Sequence, residues 1–554
     1  MKGKKVLALL LATVMMLSMA SCSKKGQPPV EGSQTPAVDE KTPQNPDQIK
    51  QYEQNKKEVT VDNVVRGGTL RVGSTTDVNS YAPWRFRGEW YLMGPCYETL
   101  VQFDDQGNIV PYLCESLTPD PEKLTYTVKC REGVTFSDGS VFDGDCLLWN
   151  FENFKENSQQ SKTFFSNVDH FEKTDDMTVV IHLNQWDTQI PYSLNNAAGT
   201  MYSKKAFEEH GYDWCLENPV GTGPYVLKEY TTDANKTFVK SENYWNKEAG
   251  PLYDEIKVTI FGDNMSAQAA LMSNAVDVFN GGDYGMKNSL VDQGYNLYQN
   301  RMWYRVYFLI FSSAVKGSPF EDVRVRQAVS YAIDSETMVS ALDYGRTFVS
   351  NQYAVEGTGF YNPDVKGYGY DPDKARALLA DAGYPNGFTT KLVTGVDQKL
   401  DRYMVAIQGY LAEVGIQVEL EYLQNAQWQA SGIYEIDDGM ILCGHGYGSN
   451  LVNQAISNFS QRAVGGVGML NKSKIHPDDL NELLVTALGC TDEAEMYSLM
   501  QQAEKLIIDE YCIGYPVITS YYDQILTQPD IVDEGFCNSF NRCFDYNKIF
   551  RIKE

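Results

Sequence analysis

The chain has 554 residues, of which 43% are hydrophobic and 12% aromatic, and it carries a formal net charge of −26. This apolar content predicts a globular protein and argues against a disordered chain. The acidic excess argues against nucleic acid or an anionic membrane surface as partner, because both repel such a protein, whereas neutral or cationic ligands approach easily.

The first 22 residues have the pattern of an export signal. Three lysines precede an uncharged apolar stretch, 6–20, which is too short to cross a bilayer core of about 30 Å as a helix. The sequence MASC that follows, 19–22, resembles the lipobox of bacterial lipoproteins. The resemblance implies that Cys22 is lipidated, which would anchor the protein by two acyl chains at the outer face of the cytoplasmic membrane or in the periplasm. The alternative is an ordinary secretory cleavage site, at which Cys22 is incidental.

Residues 23–60 predict a disordered tether. Five prolines lie there among Gln, Ser, Thr, Lys and Glu, with few large apolar side chains. Such a segment cannot bury enough apolar surface to offset the entropy that ordering costs. The remaining chain, about 490 residues, is too long for one core and predicts two or three domains.

The folded body alternates strand and helix patterns. The segment REGVTFSDGS, 131–140, predicts a strand that ends in an Asp-Gly turn, and Asp143 is positioned to cap the next helix. GTGPY, 221–225, predicts a rigid passage between two lobes, in which the glycines adopt unusual backbone angles. Apolar residues three or four apart predict a helix through 321–339.

The next elements follow a β-α-β order. DPDKARALLADAGYPNG predicts a short helix that Asp371 caps and Gly383 ends. A strand at 388–395, a helix with an apolar face at 404–414 and an alternating strand at 416–422 come after it. This order predicts an α/β domain in the second half of the chain.

Four groups of segments occur together in a fixed order. They are GGTLRVG at 67–73; YETLVQFDDQGNIVPYLCESL with LTYTVKCREGVTFSDGSVFDGDC; NPVGTGPYVLKEY with NYWN; and FEDVRVRQAVSYAID with YDPDKARALLADAGYPNGF. In this combination, from about Gly67 to the C-terminus, the sequence resembles the family 5 extracellular solute-binding proteins. These are receptors of ABC importers for peptides, nickel complexes and some sugars.

The resemblance implies a two-lobed α/β fold of the periplasmic-binding-protein type II, in the large cluster with an extra subdomain. Lobe I would comprise residues 61–95, 220–300 and 516–554, with a subdomain at 96–219, and lobe II would comprise 301–515. Two chain crossings would form the hinge. A solute in the cleft would favour the closed form, because only that form contacts the solute from both sides.

The resemblance also implies the function. The protein would be a monomeric substrate-binding lipoprotein, without cofactor, that captures a small solute and delivers it to the permease subunits of an ABC importer. An oligopeptide is the favoured solute, and a receptor for chelated nickel or for an oligosaccharide is the alternative. A secreted hydrolase is a remote alternative, because none of the five histidines lies in a catalytic motif, although paired carboxylates such as those at 437–438 leave glycoside hydrolysis open.

Candidate ligand contacts come from the resemblance and from side-chain chemistry. Glu89 stands nine residues before Glu98, the spacing at which peptide-binding relatives carry a ligand-contacting acid. Aromatic side chains suit a pocket that holds a polar solute by stacking. The other candidates are Trp84, Trp90, Tyr304, Trp428, His445, Tyr447 and Asn450. The alternative is an exposed loop around Glu89, with the tryptophans packed in the core.

The stretch ILCGHGYGSN, 441–450, carries a cysteine two residues before a histidine. This spacing is too weak a pattern to predict a metal site, and no metal site is predicted, although His445 with Cys443 would be the candidate contacts in a receptor for chelated nickel. Peptide-binding relatives often have an aspartate in this segment, which pairs with the α-ammonium group of the ligand. This sequence has none there, and therefore predicts a cleft wall with neutral hydrogen-bonding groups.

The cysteines of the folded body carry two predictions. Cys537 and Cys543 lie close together near the end of the chain and are the favoured disulfide pair. Several others, including Cys96 and Cys114, stand in apolar contexts and are predicted to be small buried hydrophobic residues.

Overall fold

The computed structural model describes residues 59–60, 62–86, 90–104, 107–158, 160–299, 304–356, 358–424, 427–428, 436, 438–447, 451–461, 472–521, 524–536 and 545–553. The export signal with Cys22, the tether up to residue 58 and the Cys537–Cys543 pair lie outside these ranges. No helix in the described part of the chain is long and apolar enough to cross a membrane.

A seven-stranded sheet forms the core of lobe I. Its strands, in spatial order, are Asn296–Gln299, Gln524–Thr527, Val278–Asn280, Thr69–Ser74, Glu255–Ile260, Asn235–Lys240 and Tyr225–Thr231. The fourth of these strands runs parallel to both of its neighbours and buries Leu70 and Val72. This is the pattern expected for a central strand of an α/β sheet.

The two main helices of lobe I each begin after an aspartate. The Asp263 side chain accepts a hydrogen bond from the main chain of Ser266 at the start of helix Asn264–Met272. Asp283 does the same for helix Tyr284–Asp292. Such caps satisfy main-chain N–H groups that have no partner within the helix. The smaller elements of lobe I are the 3-10 turns Trp90–Leu92 and Tyr546–Lys548 and the three-stranded sheet of Val64–Val65, Ile549–Ile552 and Ile531–Asp533.

A four-stranded antiparallel sheet forms the subdomain. Its strands, in spatial order, are Cys114–Asp120, Thr125–Cys130, Thr178–Leu183 and Val168–Asp175. Asp143 accepts a hydrogen bond from the main chain of Cys146 at 2.9 Å and begins helix Gly144–Asn157, which confirms the predicted cap. The shorter elements are Val101–Phe103 paired with Ile109–Pro111, and the helices Ser161–Phe164, Ile190–Leu194, Ala197–Gly199, Lys204–His210 and Tyr212–Cys215.

The segment GTGPY leads from the subdomain into strand Tyr225–Thr231 of lobe I. The prediction that it passes between the two lobes is therefore wrong. A Cβ atom at Gly221 would lie 2.1 Å from the carbonyl oxygen of Cys96, and one at Gly223 would lie 2.5 Å from the carbonyl carbon of Cys96. Neither glycine has a positive φ, so both are required by this close main-chain approach and not by an unusual backbone angle.

A five-stranded sheet forms the core of lobe II. Its strands, in spatial order, are Gln417–Leu423, Thr389–Gly395, Met440–Tyr447, Tyr304–Phe311 and Gly514–Tyr521. The first two run parallel and are connected through helix Asp401–Glu413, which confirms the predicted β-α-β unit. The predicted end of lobe II after Tyr515 falls inside the last strand, which pairs with its neighbour as far as Tyr521.

Helices cover both faces of this sheet. One layer consists of Val323–Ala332, Ser335–Asp343, Pro372–Asp381 and Asp401–Glu413, with the 3-10 turns Pro319–Glu321 and Val396–Gln398. The other layer consists of Leu451–Phe459, Asp478–Gly489 and Glu493–Lys505, the last continuing as the π-helical turn Leu506–Glu510. Each layer packs its own apolar cluster against the sheet, as in other doubly covered α/β sheets.

Two predicted helices of lobe II have different outcomes. Asp371 accepts a hydrogen bond from the main chain of Lys374 and begins helix Pro372–Asp381, which confirms that prediction. The single helix predicted through 321–339 is wrong, because the chain is extended at Ile333. Asp334 then caps a second helix, accepting from the main chain of Thr337 at 3.0 Å. A local aspartate cap thus starts a second helix within a continuous apolar stripe.

The described cysteines support the prediction of small buried hydrophobic residues. Eight of them are free and buried: Cys96, Cys114, Cys130, Cys146, Cys215, Cys443, Cys490 and Cys512. Cys114 and Cys130 even stand opposite each other on paired strands without forming a disulfide. Burial raises the pKa of Cys114 to about 11, so its thiol stays protonated and unreactive.

Candidate functional site

The two chain crossings bring the ends of the two large sheets together. The chain leaves lobe I at Gln299 and enters lobe II at Tyr304, and it returns between Tyr521 and Gln524. The parallel strands of lobe I also end at this edge, among them Thr69–Ser74. Ligands of open α/β sheets bind beyond the carboxyl ends of the strands. The crossing region is therefore the candidate site.

Three aromatic rings meet on the lobe II side of the crossing. The ring of Tyr304 lies 5.9 Å from that of Phe348 and 5.6 Å from that of Tyr521, and the last two rings lie 6.0 Å apart. Tyr304 and Tyr521 are buried, and Phe348 is half-buried. These separations are typical of aromatic pairs that pack favourably. The three rings therefore pack closely against one another and support the protein surface beside them.

A pocket of about 540 Å³ opens next to this aromatic cluster. Phe348 and Tyr521 supply its aromatic wall, and Glu336 and Glu356 supply two carboxylates. The remaining lining comes from Val339, Ser340, Gly345, Thr347, Val349, Ser350, Asn351, Val355 and Tyr361. The volume lies within the range of about 300–1,000 Å³ that small-molecule sites occupy, and the mixture of aromatic and polar groups is typical of such sites.

The main chain of the pocket wall runs along the edge of the lobe II sheet. Phe348 and Thr519 exchange both main-chain hydrogen bonds, at 3.0 and 2.7 Å, and form an isolated antiparallel bridge. The segment from Gly345 to Asn351 is therefore anchored to strand Gly514–Tyr521 at one point and lines the pocket on either side of it. A main chain held in this way offers donors and acceptors to an extended ligand.

A buried carboxyl group supports this segment from below. Both Thr347 and Tyr403 donate hydrogen bonds from their hydroxyl groups to Asp343, which ends helix Ser335–Asp343. Burial raises the pKa of Asp343. The two hydroxyl donors offset part of the cost of burying this group, and they fix the start of the pocket wall relative to the helix.

Lobe I contacts lobe II next to the pocket. The Arg346 Nε donates a hydrogen bond to Asn288 Oδ1 at 2.5 Å. The side chains of Tyr284 and Ser520 also hydrogen-bond, and burial raises the pKa of Tyr284. A second contact joins the subdomain to lobe II, where the Thr188 main chain donates to Leu488 at 3.2 Å. Lobe II is therefore contacted at two places, once by lobe I and once by the subdomain.

The predicted tryptophans differ in position. Trp84 is buried in the core and packs edge-on against Trp149, Tyr202 and Phe207, and Trp428 is buried in the lobe II core. Both rings are almost completely buried, so the prediction that they contact the ligand is corrected: their large apolar surfaces pack the core. Trp90 is half-buried against Phe86, with ring centroids 4.8 Å apart.

His445 is buried under the lobe II sheet. Its ring lies 5.6 Å from that of Phe308, and its Nε2 is 3.5 Å from the Cys443 sulfur. Burial and the nearby Lys474 lower the pKa of His445 to about 3, so the ring is neutral. A buried imidazole beneath the sheet does not form the cleft wall that the sequence predicted, because its face of the strand packs against helices.

The remaining predicted residues are described only in part. The main chain of Tyr447 pairs with Tyr304 at the crossing, but its side chain lies outside the described residues. Glu89 and Asn450 also lie outside them. The sequence reasoning missed Phe348, because that residue stands in an irregular segment with no periodic pattern. It also missed Tyr521, for which the aromatic pair at 521–522 was the available signal.

Glu98 has a structural role that the sequence did not reveal. Its side chain is buried and accepts hydrogen bonds from Tyr112 at 3.0 Å, Tyr244 at 2.9 Å and the Trp245 indole at 2.8 Å. Burial raises the pKa of Glu98 to about 7. Two residues of the NYWN segment, Tyr244 and Trp245, thus act as hydrogen-bond donors to one buried carboxyl group.

Comparison with solved structures defines the class of protein. The chain is similar to the ABC transporter-associated periplasmic binding protein DppA from Helicobacter pylori, solved in complex with the peptide STSA, at a TM-score of 0.75 and 23% identity. The match covers 88% of this chain and 99% of that chain. The protein therefore has the two-lobed α/β fold of the type II periplasmic binding proteins, which confirms the predicted fold class.

Sequence comparison gives the family. Residues 108–461 match the model of the bacterial extracellular solute-binding proteins, family 5 Middle, and the chain belongs to this family. It is 27% identical over 445 residues to heme-binding protein A of Haemophilus influenzae, covering 74% of this chain and 79% of the relative. It is also 27% identical over 427 residues to the glutathione-binding protein GsiB of Shigella dysenteriae, covering 75% and 81%. The protein is an extracytoplasmic substrate-binding component of an ABC importer, as predicted.

Proposed function

We propose that this protein is a lipid-anchored receptor that binds an oligopeptide at the chain crossing and delivers it to the permease subunits of an ABC importer. The observation that carries the ligand class is the pocket wall from Gly345 to Asn351, which runs along the edge of strand Gly514–Tyr521. Peptides bind to such edges through main-chain hydrogen bonds, which tolerate many side chains.

The charge of the pocket also supports a peptide. Glu336 and Glu356 are exposed carboxylates on its lining, and each can pair with the α-ammonium group of a peptide. They supply the negative charge that the segment 441–450 lacks. The aromatic wall of Phe348 and Tyr521 suits an apolar side chain of the same ligand.

A thermal-shift screen tests the ligand class. Tripeptides and tetrapeptides, oligosaccharides and chelated nickel are added separately to the purified protein. A ligand at 100 times its Kd stabilises the folded state by about 2.7 kcal/mol, and we expect this effect from peptides. Stabilisation by an oligosaccharide or by chelated nickel alone would contradict the proposal. The buried position of His445 gives no support to a nickel receptor.

Phe348→Ala tests whether the peptide occupies this pocket. Loss of a stacking partner worth about 1.4 kcal/mol weakens binding about tenfold. Phe360→Ala is the matched control, because Phe360 is a half-buried phenylalanine of the same lobe that packs against Tyr497 and does not line the pocket. Isothermal titration with the best peptide measures both variants. Equal losses of peptide affinity in the two variants would show that the peptide does not bind in this pocket.

The anchor and the absence of catalysis complete the proposal. Mass spectrometry of the native protein should find a diacylated N-terminal Cys22, and Cys22→Ala should move the protein from the membrane fraction to the soluble fraction. Retention of the variant in the membrane would contradict the anchor. The bound peptide should be recovered intact after prolonged incubation, since we expect a carrier and not a hydrolase.

A further inference from the structure

Two histidines and a glutamate lie together on the outer sheet of the subdomain. His170, in strand Val168–Asp175, stands directly opposite His182, in strand Thr178–Leu183. Their rings are stacked, with centroids 4.3 Å apart and planes at 3°. Glu172 follows His170 by two residues and therefore shares its face of the sheet. One potential ligand atom from each of the three side chains lies within 4.8 Å of the other two.

A carboxylate lies within hydrogen-bonding distance of one ring nitrogen of each histidine. Asp169 Oδ2 lies 2.8 Å from His170 Nδ1, so the carboxylate holds the proton on Nδ1 and leaves Nε2 as an electron-pair donor. A register shift between Val168 and His170 accompanies this contact between consecutive side chains. Glu172 Oε2 lies 3.0 Å from His182 Nε2. The Asp169 carboxylate behind His170 is the usual outer-shell arrangement of a metal-binding histidine, whereas Glu172 contacts a His182 nitrogen as a potential ligand beside it.

We propose that His170, Glu172 and His182 form a binding site for a first-row divalent cation such as Zn²⁺, with Asp169 as the outer-shell partner of His170. Two imidazoles and a carboxylate are ligands that Zn²⁺, Cu²⁺ and Ni²⁺ accept, whereas Mg²⁺ and Ca²⁺ require oxygen ligands. The carboxylates of Glu172 and Asp169 together balance the charge of the cation. A fourth position is left for water.

The side chains can reach the geometry that the cation needs. Zn²⁺ binds these ligands at about 2.0–2.2 Å, which places neighbouring ligand atoms about 3.3 Å apart. The present separations are at most 4.8 Å, and the side chains of His170 and Glu172 are each 57% exposed. Rotation of exposed side chains therefore closes the gap without moving the sheet. This sheet contributes no strand to either large sheet and none of the three residues lines the pocket, so the cation site is separate from the site of the proposed function.

Titration of the tag-free, chelator-treated protein with ZnCl₂ in a calorimeter tests the site. We expect one Zn²⁺ per chain in the wild type and no saturable binding in the His170→Ala/His182→Ala double variant. Asp169→Asn should weaken binding about tenfold, as the loss of an outer-shell partner does. His210→Ala is the matched control, because His210 is an exposed histidine of the same subdomain, and it should bind as the wild type does. MgCl₂ should give no binding.

Two results would overturn the site: wild-type protein that binds no Zn²⁺, or a double variant that binds it with unchanged affinity. Circular dichroism establishes that each variant is folded. Glu172→Gln provides a second test that leaves both histidines in place. Zn²⁺ should raise the melting temperature of the wild type and of His210→Ala, and it should raise that of Glu172→Gln much less. Peptide binding should be unchanged in all of these variants.

Discussion

Two buried glutamates, one in each half of the molecule, are held by different kinds of donor. Glu98 accepts hydrogen bonds from three side chains, those of Tyr112, Tyr244 and Trp245. Glu504 in lobe II accepts from two main-chain N–H groups, those of Tyr353 and Ala354, each at 2.9 Å. Burial raises the pKa of Glu98 to about 7 and that of Glu504 to about 8.

The hydrogen-bond partners of the two glutamates differ in whether they can reverse from donor to acceptor. A tyrosine hydroxyl can rotate and either donate or accept a hydrogen bond, whereas a main-chain N–H only donates. The partners of Glu504 also belong to the loop that supplies Ser350, Asn351 and Val355 to the pocket. We therefore expect changes at Glu98 to affect stability alone, and changes at Glu504 to affect both stability and ligand binding.

The largest expected effect is on the pH dependence of stability. An unfolded glutamate releases its proton near its ordinary pKa of 4.5, but folded Glu98 releases it near pH 7. Between these values the folded state binds more protons, so the free energy of unfolding falls as pH rises. The contribution is complete below about pH 4.5 and lost above about pH 7, and it amounts to about 3 kcal/mol.

Urea unfolding of the wild type and of Glu98→Gln at pH 5 and pH 8 measures this effect. The stability difference between the two proteins should favour the wild type at pH 5 and shrink by about 3 kcal/mol at pH 8. A difference that is constant with pH would show that the Glu98 carboxyl group titrates as in the unfolded chain. Because Glu504 titrates over an overlapping window, it contributes to both curves equally and cancels in the difference.

The second-largest expected effect is the stability loss in Glu504→Gln at neutral pH, which distinguishes Glu504 from Glu98. In Glu504→Gln the amide keeps one acceptor and turns an NH₂ group toward the other main-chain N–H. An unsatisfied buried donor costs about 1–3 kcal/mol, so we expect a loss of about 2 kcal/mol. Hydrogen exchange of Tyr353 and Ala354 should accelerate, and peptide affinity should fall because the pocket loop loosens.

Glu98→Gln is the matched control for this substitution. Its tyrosine partners can reverse their hydroxyl groups to accept from the new NH₂ group, so exchange at Tyr353 and Ala354 and peptide affinity should both stay at the wild-type level. If Glu98→Gln weakened peptide binding as much as Glu504→Gln, the assignment of only one glutamate to the pocket would be wrong.

The sequence predicted the parts of this fold that depend on local patterns. The caps at Asp143 and Asp371 and the β-α-β unit follow from side-chain chemistry within one turn or strand, and the structure confirms them. The prediction of a single helix through 321–339 is wrong because the apolar stripe continues across the break at Ile333 and gives no sign of it. Apolar periodicity predicts which face of a segment is buried, but it does not predict the residue at which the helix ends.

The candidate site was harder to predict because its residues are distant in the sequence. Phe348 and Tyr521 meet only because one edge segment pairs with the last strand of lobe II. Trp84 has the side-chain chemistry of a stacking residue, but burial decides whether its ring packs against a ligand or against the core. Likewise, ten residues of sequence around His445 cannot show that its face of the strand is covered by helices. Long-range packing supplies this information.

The smallest effect tests the donors of Glu98 one at a time. Tyr244→Phe removes a hydroxyl that donates at 2.9 Å and leaves the aromatic ring in place. A hydrogen bond to an ionised group is worth about 1.5–3 kcal/mol and one to a neutral group about 0.5–1.5 kcal/mol. The substitution should therefore cost about 1 kcal/mol more at pH 8, where Glu98 is ionised, than at pH 5.

Tyr112→Phe, which removes the donor at 3.0 Å to the same oxygen, is the matched variant and should behave in the same way. An equal cost at both pH values would contradict this prediction, because it would mean that the Glu98 carboxyl group does not change its ionisation state between them.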